Sequence, residues 1–554
     1  MSAPAFDDGH CRYKDPYWLQ GQPKVCGSQG ISEHGNVTGV FQEIPRSMPR
    51  RQEAKTVNSL WLDRTSTFVA DPFTSEADFD TVVVGAGITG LAAAALLARS
   101  GQRVAVLEAR TVGAGTTGNT TAKLSLLQGT ILSALRGQYS QKIVNAYVEA
   151  NREGQAWLLR FLTEKGVPFQ YRDAYTFSTT EDGSERVKSE LSVARQAGLD
   201  VIETTDTELP FSTRRTIRLA DQAQFNPMDV LGALVSDFQA HGGILVEGVR
   251  VGNVTTGDRT TVITGAGNVH ADRVVLATGI PILDRGLYWA KLKASQSYAA
   301  AMRVPGTTPL PQGMYLSAES PGRSLRTYPT DTQELLIVGG NGHQVGREPS
   351  PKRRLDELLD WAAHHFPGAE VTHTWSGEDY RATNLMPFFG KMPRGGGKIF
   401  IATGYNKWGM ANSIAAALGI SAEILGGELH WADTIHHRIT SPAGAAAAVA
   451  LNAGVAKTLS TSWAKAELAQ PESGSGTVPA EGEGTVVRRG RKPVAVSTVD
   501  GVTCRVSAVC THLGGVLSWN DAERSWDCPL HGSRFSPTGE VLQGPTTVNL
   551  ASMD

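Results

Sequence analysis

The sequence predicts an α/β domain with an interleaved α+β domain, followed by a small all-β domain. Three observations support this fold class. From Phe79 to about residue 430 the pattern alternates strand, glycine turn, helix and strand, and it includes antiparallel-looking segments such as 297–304 and 334–339. Residues 470–484, QPESGSGTVPAEGEG, have the composition of a linker. Short strands separated by turns follow this linker, as expected of a small all-β module.

Composition excludes several classes of protein. Lysine and arginine number 52 against 54 acidic residues, so we expect no basic stripe for nucleic acid. No stretch reaches the roughly 18 to 20 apolar residues of a membrane span, and residues 1–10 do not have the pattern of a signal peptide. The five cysteines form no disulfide framework, which favours a reducing compartment. We therefore expect a cytoplasmic protein, and composition predicts no oligomeric state.

The α/β domain opens with a dinucleotide-binding motif. A buried strand, TVVV, runs directly into GAGITG at residues 85–90 and then into a helix. In such a Rossmann-like unit, Gly85 permits a tight turn, Gly87 lets the backbone approach a pyrophosphate, and Gly90 allows close packing of helix on strand. A second strand ends at Glu108, 23 residues past the first glycine, where an acid binds a ribose hydroxyl. Together these features predict a nucleotide cofactor.

Three further segments indicate which nucleotide it is. Residues 113–123, GAGTTGNTTAK, form a long glycine and hydroxyl loop that an NAD-binding domain does not need, while 274–279 (VVLATG) and 400–410 (FIATGYNKWGM) are a strand-turn and a strand running into a helix. From 59 to 427 the chain resembles the FAD-dependent glycine oxidase and D-amino-acid oxidase (DAO) family. The resemblance implies FAD, and without a cysteine in this body or a histidine in the loop we expect it to be non-covalent. The cofactor-binding candidates are Gly85, Gly87, Ile88, Thr89, Gly90, Glu108, Ala109, Arg110, Thr116, Thr117, Gly118, Thr120, Thr121, Ala122, Val251, Ala277, Thr278, Gly279, Gly404, Lys407, Trp408, Gly409 and Met410.

A second glycine-rich run, VGGNGHQVG at 338–346, resembles a nucleotide-binding motif but is not predicted to be one. Pro349 and Pro351 stand where a phosphate-binding helix would run, and helix interiors reject proline. We interpret this run as a turn of the substrate domain. One nucleotide fingerprint disfavours a pyridine-nucleotide reductase.

Substrate-side candidates come partly from the residues and partly from the resemblance. Lys407 and the positive end of the helix after it would stabilise a reduced, anionic flavin. Lys123 aligns with a basic position beside the flavin in the family's amine oxidases, although a solvated surface lysine is an equal alternative. Arg323 and Arg326 have the chemistry to hold a substrate carboxylate in bidentate fashion, or to form structural ion pairs. We name Lys123, Lys407 and Arg326 as catalytic candidates, with flavin N5 as the main reactive centre.

Two short motifs near the end of the chain have the spacing of Rieske ligands. A Rieske [2Fe-2S] centre needs one cysteine and one histidine from each of two loops. Cys510-x-His512 and Cys528-x-x-His531, separated by residues 513–527, supply that set. A zinc site is disfavoured because its ligands usually come as C-x₂₋₄-C and H-x₃₋₅-H pairs of one type. The region also resembles Rieske domains over about its last 70 residues.

The resemblance to Rieske domains also shows where this chain departs from them. High-potential Rieske proteins carry an extra cysteine in each ligand loop, and here those two positions are Gly515 and Leu530. No bridge is possible, so we expect the loops to be held by packing alone. Phe535 stands where some high-potential clusters have a hydrogen-bonding tyrosine. Rieske potentials span about −150 to +300 mV, and we expect a value in the lower half.

These motifs divide the chain as follows. Residues 1–57 are polar and rich in Gly, Pro and Gln, and they read as an extension that docks on the main body or is partly disordered. Residues 58–430 form the flavoprotein, 431–484 a helical segment (alanine-rich at 443–451) with the linker, and 485–554 the Rieske domain. Within the flavoprotein, the FAD-binding domain comprises about 78–150, 215–290 and 385–430, and the substrate domain about 151–214 and 291–384.

The domain order implies a converter between two-electron and one-electron chemistry. The first hypothesis is oxidation of an amine, amino acid or related small molecule by FAD, with electrons leaving singly through the cluster to an external acceptor such as a ferredoxin or quinone. This favours a dehydrogenase over an oxidase. The second hypothesis reverses the flow, so that an external donor feeds a flavin reductase or monooxygenase. The third is a redox-sensing or interaction protein with a structural cluster.

Overall fold

The fold is that of a computed structural model, which describes residues 58–63, 68–306, 309–472 and 478–553. The predicted extension at 1–57 lies outside these residues. The described residues belong to one compact unit that spans 54–554, so the flavoprotein and the Rieske part share a single body. Among the described helices, none combines the length and apolar character that a membrane span requires.

A mostly parallel sheet lies at the centre of the FAD-binding half. Its strands are short apolar runs buried on both faces, as expected when helices cover a parallel sheet. The order is β16-β17-β10-β1-β2-β7, and β9 and β8 continue from β10 as antiparallel strands. The strands are β1 (Asp78–Val84), β2 (Val104–Leu107), β7 (Ile244–Val246), β8 (Val251–Thr256), β9 (Thr260–Thr264), β10 (Gly267–Leu276), β16 (Phe388–Lys391) and β17 (Ile399–Thr403).

Helices rich in alanine and leucine cover this sheet. The helix after β1 is buried along nearly its whole length, because it packs against neighbouring helices as well as the sheet. Two of the helices start at the carboxyl edge of parallel strands, where such folds bind ligands. The helices of the flavoprotein are α1 (Ile88–Arg99), α2 (Ile131–Arg136), α3 (Gln141–Lys165), α4 (Glu181–Gln196), α5 (Pro227–Ala240), α6 (Pro351–His365), α7 (Gly409–Ile424) and α8 (His430–His436), with short 3₁₀ turns at Thr117–Asn119 and Tyr288–Ala290.

A second, largely antiparallel sheet forms the substrate domain. Its order is β15-β11-β14-β13-β12-β4-β6-β3, with β5 paired to β6. The strands are β3 (Lys123–Leu124), β4 (Phe169–Ser178), β5 (Ile202–Glu203), β6 (Arg215–Phe225), β11 (Leu292–Arg303), β12 (Met314–Ser317), β13 (Arg323–Pro329), β14 (Glu334–Gln344) and β15 (Glu370–Ala382).

Two features of this sheet differ from the sequence-based expectation. The strands β3 and β6 fall within the predicted FAD-binding pieces, yet they pair with the substrate sheet. The glycine-rich run at 338–346 is mostly the end of strand β14 rather than a turn, because its backbone pairs with β11 and β13. Pro351 is the first residue of α6, a position where its missing N–H costs nothing.

The C-terminal part consists of one long helix and two small antiparallel sheets. Helix α9 (Pro442–Glu467) extends well beyond the alanine-rich segment 443–451, and its Val455, Leu459 and Trp463 pack against the core of the small sheets. The sheets are ordered β18-β19-β20 and β21-β22-β23-β24. Their strands are β18 (Gly484–Arg489), β19 (Lys492–Val499), β20 (Val502–Ser507), β21 (Ser518–Asn520), β22 (Ser525–Asp527), β23 (Arg534–Phe535) and β24 (Val541–Gln543).

Candidate functional site

The glycine motif after β1 forms a close turn that side chains cannot enter. Gly85 has φ +106°, and a Cβ on it would lie 2.7 Å from the carbonyl oxygen of Ala277. A Cβ on Gly90 would lie 2.0 Å from the carbonyl oxygen of Gly85. A Cβ on Gly87 would crowd Thr117 Oγ1 at 3.2 Å. The turn is therefore shaped for close backbone approach, which is the geometry that a dinucleotide pyrophosphate uses.

Two helix N-termini at this edge lack a capping side chain on their own N-cap residues. Gly87 precedes α1 and Trp408 precedes α7, and at the start of α1 the N–H of Ile88 donates to Thr117 Oγ1 of the loop at 3.2 Å. The two starts are joined by a 2.9 Å hydrogen bond between Thr89 Oγ1 and the hydroxyl of Tyr405. The N–H groups at a helix start, together with the positive end of the helix dipole, suit anionic groups of a cofactor. The residues present thus fit the phosphates and the flavin end of FAD.

Glu108 lies at the end of β2 with its carboxylate fixed by the backbone. One oxygen accepts from Ala86 N at 2.8 Å and the other from Arg110 N at 2.9 Å. This arrangement fixes the carboxylate beside the glycine turn, at the position predicted for ribose recognition. Val251, one of the predicted cofactor-binding residues, is 3% exposed at the start of β8 and packs in the core beneath the sheet.

The glycine and hydroxyl loop passes from the glycine turn to the substrate sheet. Thr116 Oγ1 donates to the backbone carbonyl of Glu378 in β15 at 2.6 Å, which fixes the loop to that strand. Ala122 closes the loop with φ +52°. The loop therefore lies between the two sheets, where a flavin would meet substrate.

Arg326 holds this loop from below and makes no contact that a substrate could replace. It is fully buried, and its Nη1 donates to the carbonyls of Thr121 and Ala122, each at 2.7 Å. Its remaining nitrogens reach the carbonyls of Phe225 and Thr327. The predicted role in binding a substrate carboxylate does not fit, because every guanidinium nitrogen already has a backbone acceptor.

Arg323 lies in the same strand as Arg326, β13, but its side chain points away from the FAD-binding loop. Its Nη1 hydrogen-bonds to Asn341 Oδ1 and the carbonyl of Gly322, and its guanidinium lies over the ring of Trp361. It is therefore a structural arginine of the outer face.

Lys123 is enclosed rather than solvated. Its Nζ donates to the carbonyl of Tyr315 at 3.2 Å and to Ser324 Oγ. Burial, helped by the nearby Arg326 guanidinium, lowers the pKa of Lys123 to about 7. An amine with this pKa exchanges protons near neutral pH, which suits a residue beside a reactive flavin.

Lys407 lies on the cleft between the sheets. Its backbone has φ +71°, and its Nζ donates to Ser297 Oγ of β11 at 2.9 Å. Desolvation lowers the pKa of Lys407, while the carboxylate of Asp379 opposes that change. The lysine and the start of α7 together place positive potential on one end of the cleft.

The predicted cofactor-binding residues therefore gather along one edge. They occupy the ends of β1, β2 and β10, the loop after β2, and the start of α7, apart from Val251, which lies in the core below. Gly279, Ala277 and Thr278 follow β10, where Thr403 Oγ1 hydrogen-bonds to the carbonyl of Gly279.

The two ligand loops of the Rieske part are near copies of each other. In the first loop Cys510 N donates to the carbonyl of Gly515, and in the second Cys528 N donates to that of Ser533, at 2.9 and 2.8 Å. In each loop the residue four positions after the cysteine, Gly514 or Gly532, donates back to the cysteine carbonyl. The loops thus present matching pairs of side chains to a common space.

The four predicted ligands meet at that space. A hydrogen bond between the two thiols lowers the pKa of Cys510 and raises that of Cys528, so the sulfurs are neighbours. The rings of His512 and His531 lie 5.1 Å apart between centroids. Within the described ranges, no group of three or more His, Cys, Asp or Glu is gathered as for one metal ion. Two thiols and two imidazoles as separate pairs fit a two-iron cluster better than a zinc ion.

The positions of the missing disulfide are filled by an apolar contact. A Cβ on Gly515 would lie 2.7 Å from Cδ1 and Cγ of Leu530, so the leucine occupies the space of the bridge. The prediction that packing alone holds the loops is wrong, however. Arg347 Nε donates to the carbonyl of Pro529 at 2.8 Å, and Trp463 Nε1 donates to that of Gly514 at 2.9 Å. Both donors come from outside the small sheets, and sequence spacing carries no signal for them.

The two predicted histidine ligands, His512 and His531, lie on the side of the Rieske part that faces the flavoprotein. His531 is 3% exposed, and Trp289 lies edge-on to it at 5.0 Å between ring centroids. His512 Nε2 is 3.3 Å from Asp284 Oδ1. These neighbours from the segment 283–289 were not anticipated, because nothing in that segment marks it as close to a ligand loop.

The sheet formed by β11 and β15 separates the cleft from the ligand loops. Directly paired residues of antiparallel strands point to the same face, and alternate residues point to opposite faces. On the cleft face Ser295 pairs with Asp379, and Ser297 contacts Lys407. The opposite face contacts the Rieske part through four side chains: those of Ala294 and Glu378 pack against Gly532, Gln296 lies 3.1 Å from Asn520, and the Tyr380 hydroxyl donates to the Gly544 carbonyl at 3.3 Å.

Comparison with known proteins agrees with both halves. The family described as DAO, FAD dependent oxidoreductase, matches residues 80–422, which is more than half of the chain. The Rieske [2Fe-2S] domain family matches residues 470–554. The chain therefore belongs to the DAO family of FAD-dependent oxidoreductases and carries a Rieske domain after it. These matches confirm the predicted resemblance and imply FAD and a [2Fe-2S] cluster as cofactors.

Individual relatives show the same division. The protein YhfW of Bacillus subtilis (strain 168), named as a Rieske 2Fe-2S iron-sulfur protein, is 28% identical over 490 residues, which are 86% of this chain and 94% of YhfW. An iron-sulfur subunit of the cytochrome b6-f complex from Nostoc sp. (strain PCC 7120) is 52% identical over 46 residues, 8% of this chain and 26% of that subunit. The glycine oxidase of Geobacillus kaustophilus covers 64% of this chain and 96% of its own, with a TM-score of 0.55 and 21% identity, which shows a shared fold.

Proposed function

We propose that this chain oxidises an amine, an amino acid or a related small molecule by hydride transfer to FAD, and passes the electrons singly through its Rieske cluster to an external acceptor. Bound FAD supplies the hydride acceptor, and the cluster supplies one-electron transfer. In this proposal Cys510, His512, Cys528 and His531 hold the cluster, and the glycine turn, Glu108, the loop 116–122 and the start of α7 hold FAD. Location in the cytoplasm remains a prediction from cysteine usage.

The observation that carries this proposal is the two-faced sheet of β11 and β15. One face meets Lys407 of the FAD-binding half, and the other meets Gly532, next to the predicted ligand His531. Packed sheets lie about 10 Å apart, so a single sheet is a thin wall. Two redox sites on either side of one wall support internal electron transfer and a dehydrogenase rather than an oxidase.

The charges of the cleft support an anionic or zwitterionic substrate. Lys293, Arg381 and Lys407 accompany one acid, Asp379, on the cleft side of β11 and β15. A surface on which cations outnumber acids attracts a carboxylate. This favours an amino acid or a betaine-like compound over a simple amine. Lys123 is proposed to tune the flavin from the side, and Lys407 to stabilise its reduced, anionic state.

Anaerobic mixing of the holoprotein with panels of amines, amino acids and hydroxy acids tests the function. A substrate is expected to bleach the flavin absorbance first and the cluster absorbance afterwards. A Cys528→Ser variant that retains FAD is the matched control, and in it the flavin should bleach without any later cluster signal. If no compound bleaches either chromophore but a reduced ferredoxin does, electrons enter through the cluster and the proposal fails.

A further inference from the structure

One buried acid lies between the FAD-binding loop and the cluster loop without a role in the proposed function. Glu378 is in β15, on the face toward the Rieske part, and is 3% exposed. Its backbone carbonyl accepts the bond from Thr116 of the FAD-binding loop. Its side chain packs on Gly532, where a Cβ would lie 2.6 Å from Glu378 Oε1.

Both carboxyl oxygens of Glu378 lack a hydrogen-bond partner. The hydroxyl of Tyr380, two residues on and on the same face, donates to the carbonyl of Gly544 at 3.3 Å, and its approach to the acid only partly opposes the effect of burial on the pKa of Glu378. Gln296, directly opposite in β11, donates instead to Ser376 Oγ at 2.6 Å. An ionised carboxylate in such a place would lose its solvation and gain too little hydrogen bonding in return.

The nearest cation is already balanced by other acids. Arg534 Nε lies 3.1 Å from Asp527 Oδ1, and its Nη2 lies 3.7 Å from Glu523 Oε2. Asp379 points to the other face of the strand, toward Lys407 and Arg381. A charge on Glu378 would therefore be an excess negative charge in a buried cluster of acids. Burial accordingly raises the pKa of Glu378 well above its usual range.

We propose that Glu378 is a positioning residue held as an uncharged carboxylic acid against the cluster loop, so that no fixed negative charge opposes reduction of the cluster. An oxidised [2Fe-2S] centre with two thiolates and two neutral imidazoles has no net charge, and one added electron makes it an anion. A neighbouring carboxylate would repel that electron, whereas a neutral acid does not. The acid keeps its proton in both redox states, so no bond forms or breaks at Glu378.

Replacement of the acid by its uncharged isostere distinguishes the two charge states. In Glu378→Gln the midpoint potential of the cluster, measured with redox mediators and electron paramagnetic resonance, is expected to equal that of the wild type. If Glu378 is ionised, the same change removes a repulsive charge and raises the potential, by about 59 mV for each tenfold change in the reduction equilibrium. A raised potential overturns the proposal.

Infrared difference spectroscopy of the wild-type holoprotein gives an independent measurement. One-electron reduction of the cluster is expected to shift the carbonyl stretch of a protonated carboxylic acid, and that signal should be absent from Glu378→Gln. The proposal is also overturned if the wild-type difference spectrum shows no protonated-acid signal, or if that signal persists in Glu378→Gln.

Glu319→Gln is the matched control. Glu319 accepts bonds from the backbone of Thr179 and Thr180 and follows β12, four strands from β15 in the same sheet. The control is expected to retain both the midpoint potential and the infrared signal. Because chemical reductants replace substrate in these experiments, their outcome does not depend on whether the chain oxidises amines.

Discussion

Replacement of Arg326 by methionine is expected to weaken FAD binding, because this arginine holds the FAD-binding loop. Methionine keeps most of the length of the side chain but has no donor. The change leaves the carbonyls of Thr121 and Ala122, now bonded at 2.7 Å, without these partners, and Ala122 is fully buried while Thr121 is half-buried.

The size of the effect follows from those two carbonyls. Each buried acceptor left unpaired costs about 1–3 kcal/mol, so the pair costs about 2–6 kcal/mol. If half of this free energy is subtracted from the free energy of FAD binding, because FAD must order the weakened loop, FAD binds less tightly by about 1–3 kcal/mol, roughly 5- to 150-fold.

The assay is the dissociation constant of FAD, from flavin fluorescence titration of the apoprotein. Arg323→Met is the matched control, because Arg323 bonds to Asn341 and Gly322 outside the loop and should leave the FAD affinity near that of the wild type. An Arg326→Met protein that binds FAD as tightly as the wild type would refute the assignment of Arg326 to the loop.

Three further predictions concern protons and the cluster. Lys123→Met should remove an ionisation near pH 7 from the pH dependence of the flavin spectrum. Because burial depresses the pKa of Lys123, the stability of the wild type should also fall as the pH drops from about 10 toward 7. The variant should not show this loss of stability. Arg347→Leu should unpair the Pro529 carbonyl and cost about 1–3 kcal/mol of loop stability, measured as faster loss of cluster absorbance on heating, and unchanged loss would contradict this role. The midpoint potential of the cluster should lie in the lower half of the range of about −150 to +300 mV, and a wild-type value near the top would contradict this prediction. Asp284→Asn should raise the potential, because it removes the negative charge beside His512.

Local patterns predicted the parts of this protein that depend on neighbours in sequence. The glycine turn at 85–90 and the two ligand motifs are short segments in which residue type and spacing fix the backbone shape, so their chemistry could be read directly. The alternation of strands and helices likewise predicted the central sheet. The comparisons confirmed the two families that these motifs indicated.

Contacts between distant segments could not be predicted in this way. Arg326 seemed a candidate for substrate binding because arginine is versatile, and only the pairing of β13 with its neighbours turns it beneath the loop. Arg347 and Trp463 gave no sign of holding ligand loops more than 50 positions away in sequence.

The sequence by itself determined that one chain combines an FAD-binding fold with a Rieske ligand set. Only the tertiary structure decided how the two are joined, namely across the single sheet of β11 and β15, with Ser297 on one face and Glu378 on the other. The physical reason is that the alternation of a strand fixes which residues share a face, whereas the partner of each face depends on how whole sheets pack. The different roles of the neighbouring acids Glu378 and Asp379, which point to opposite faces, therefore become visible only when both faces are covered.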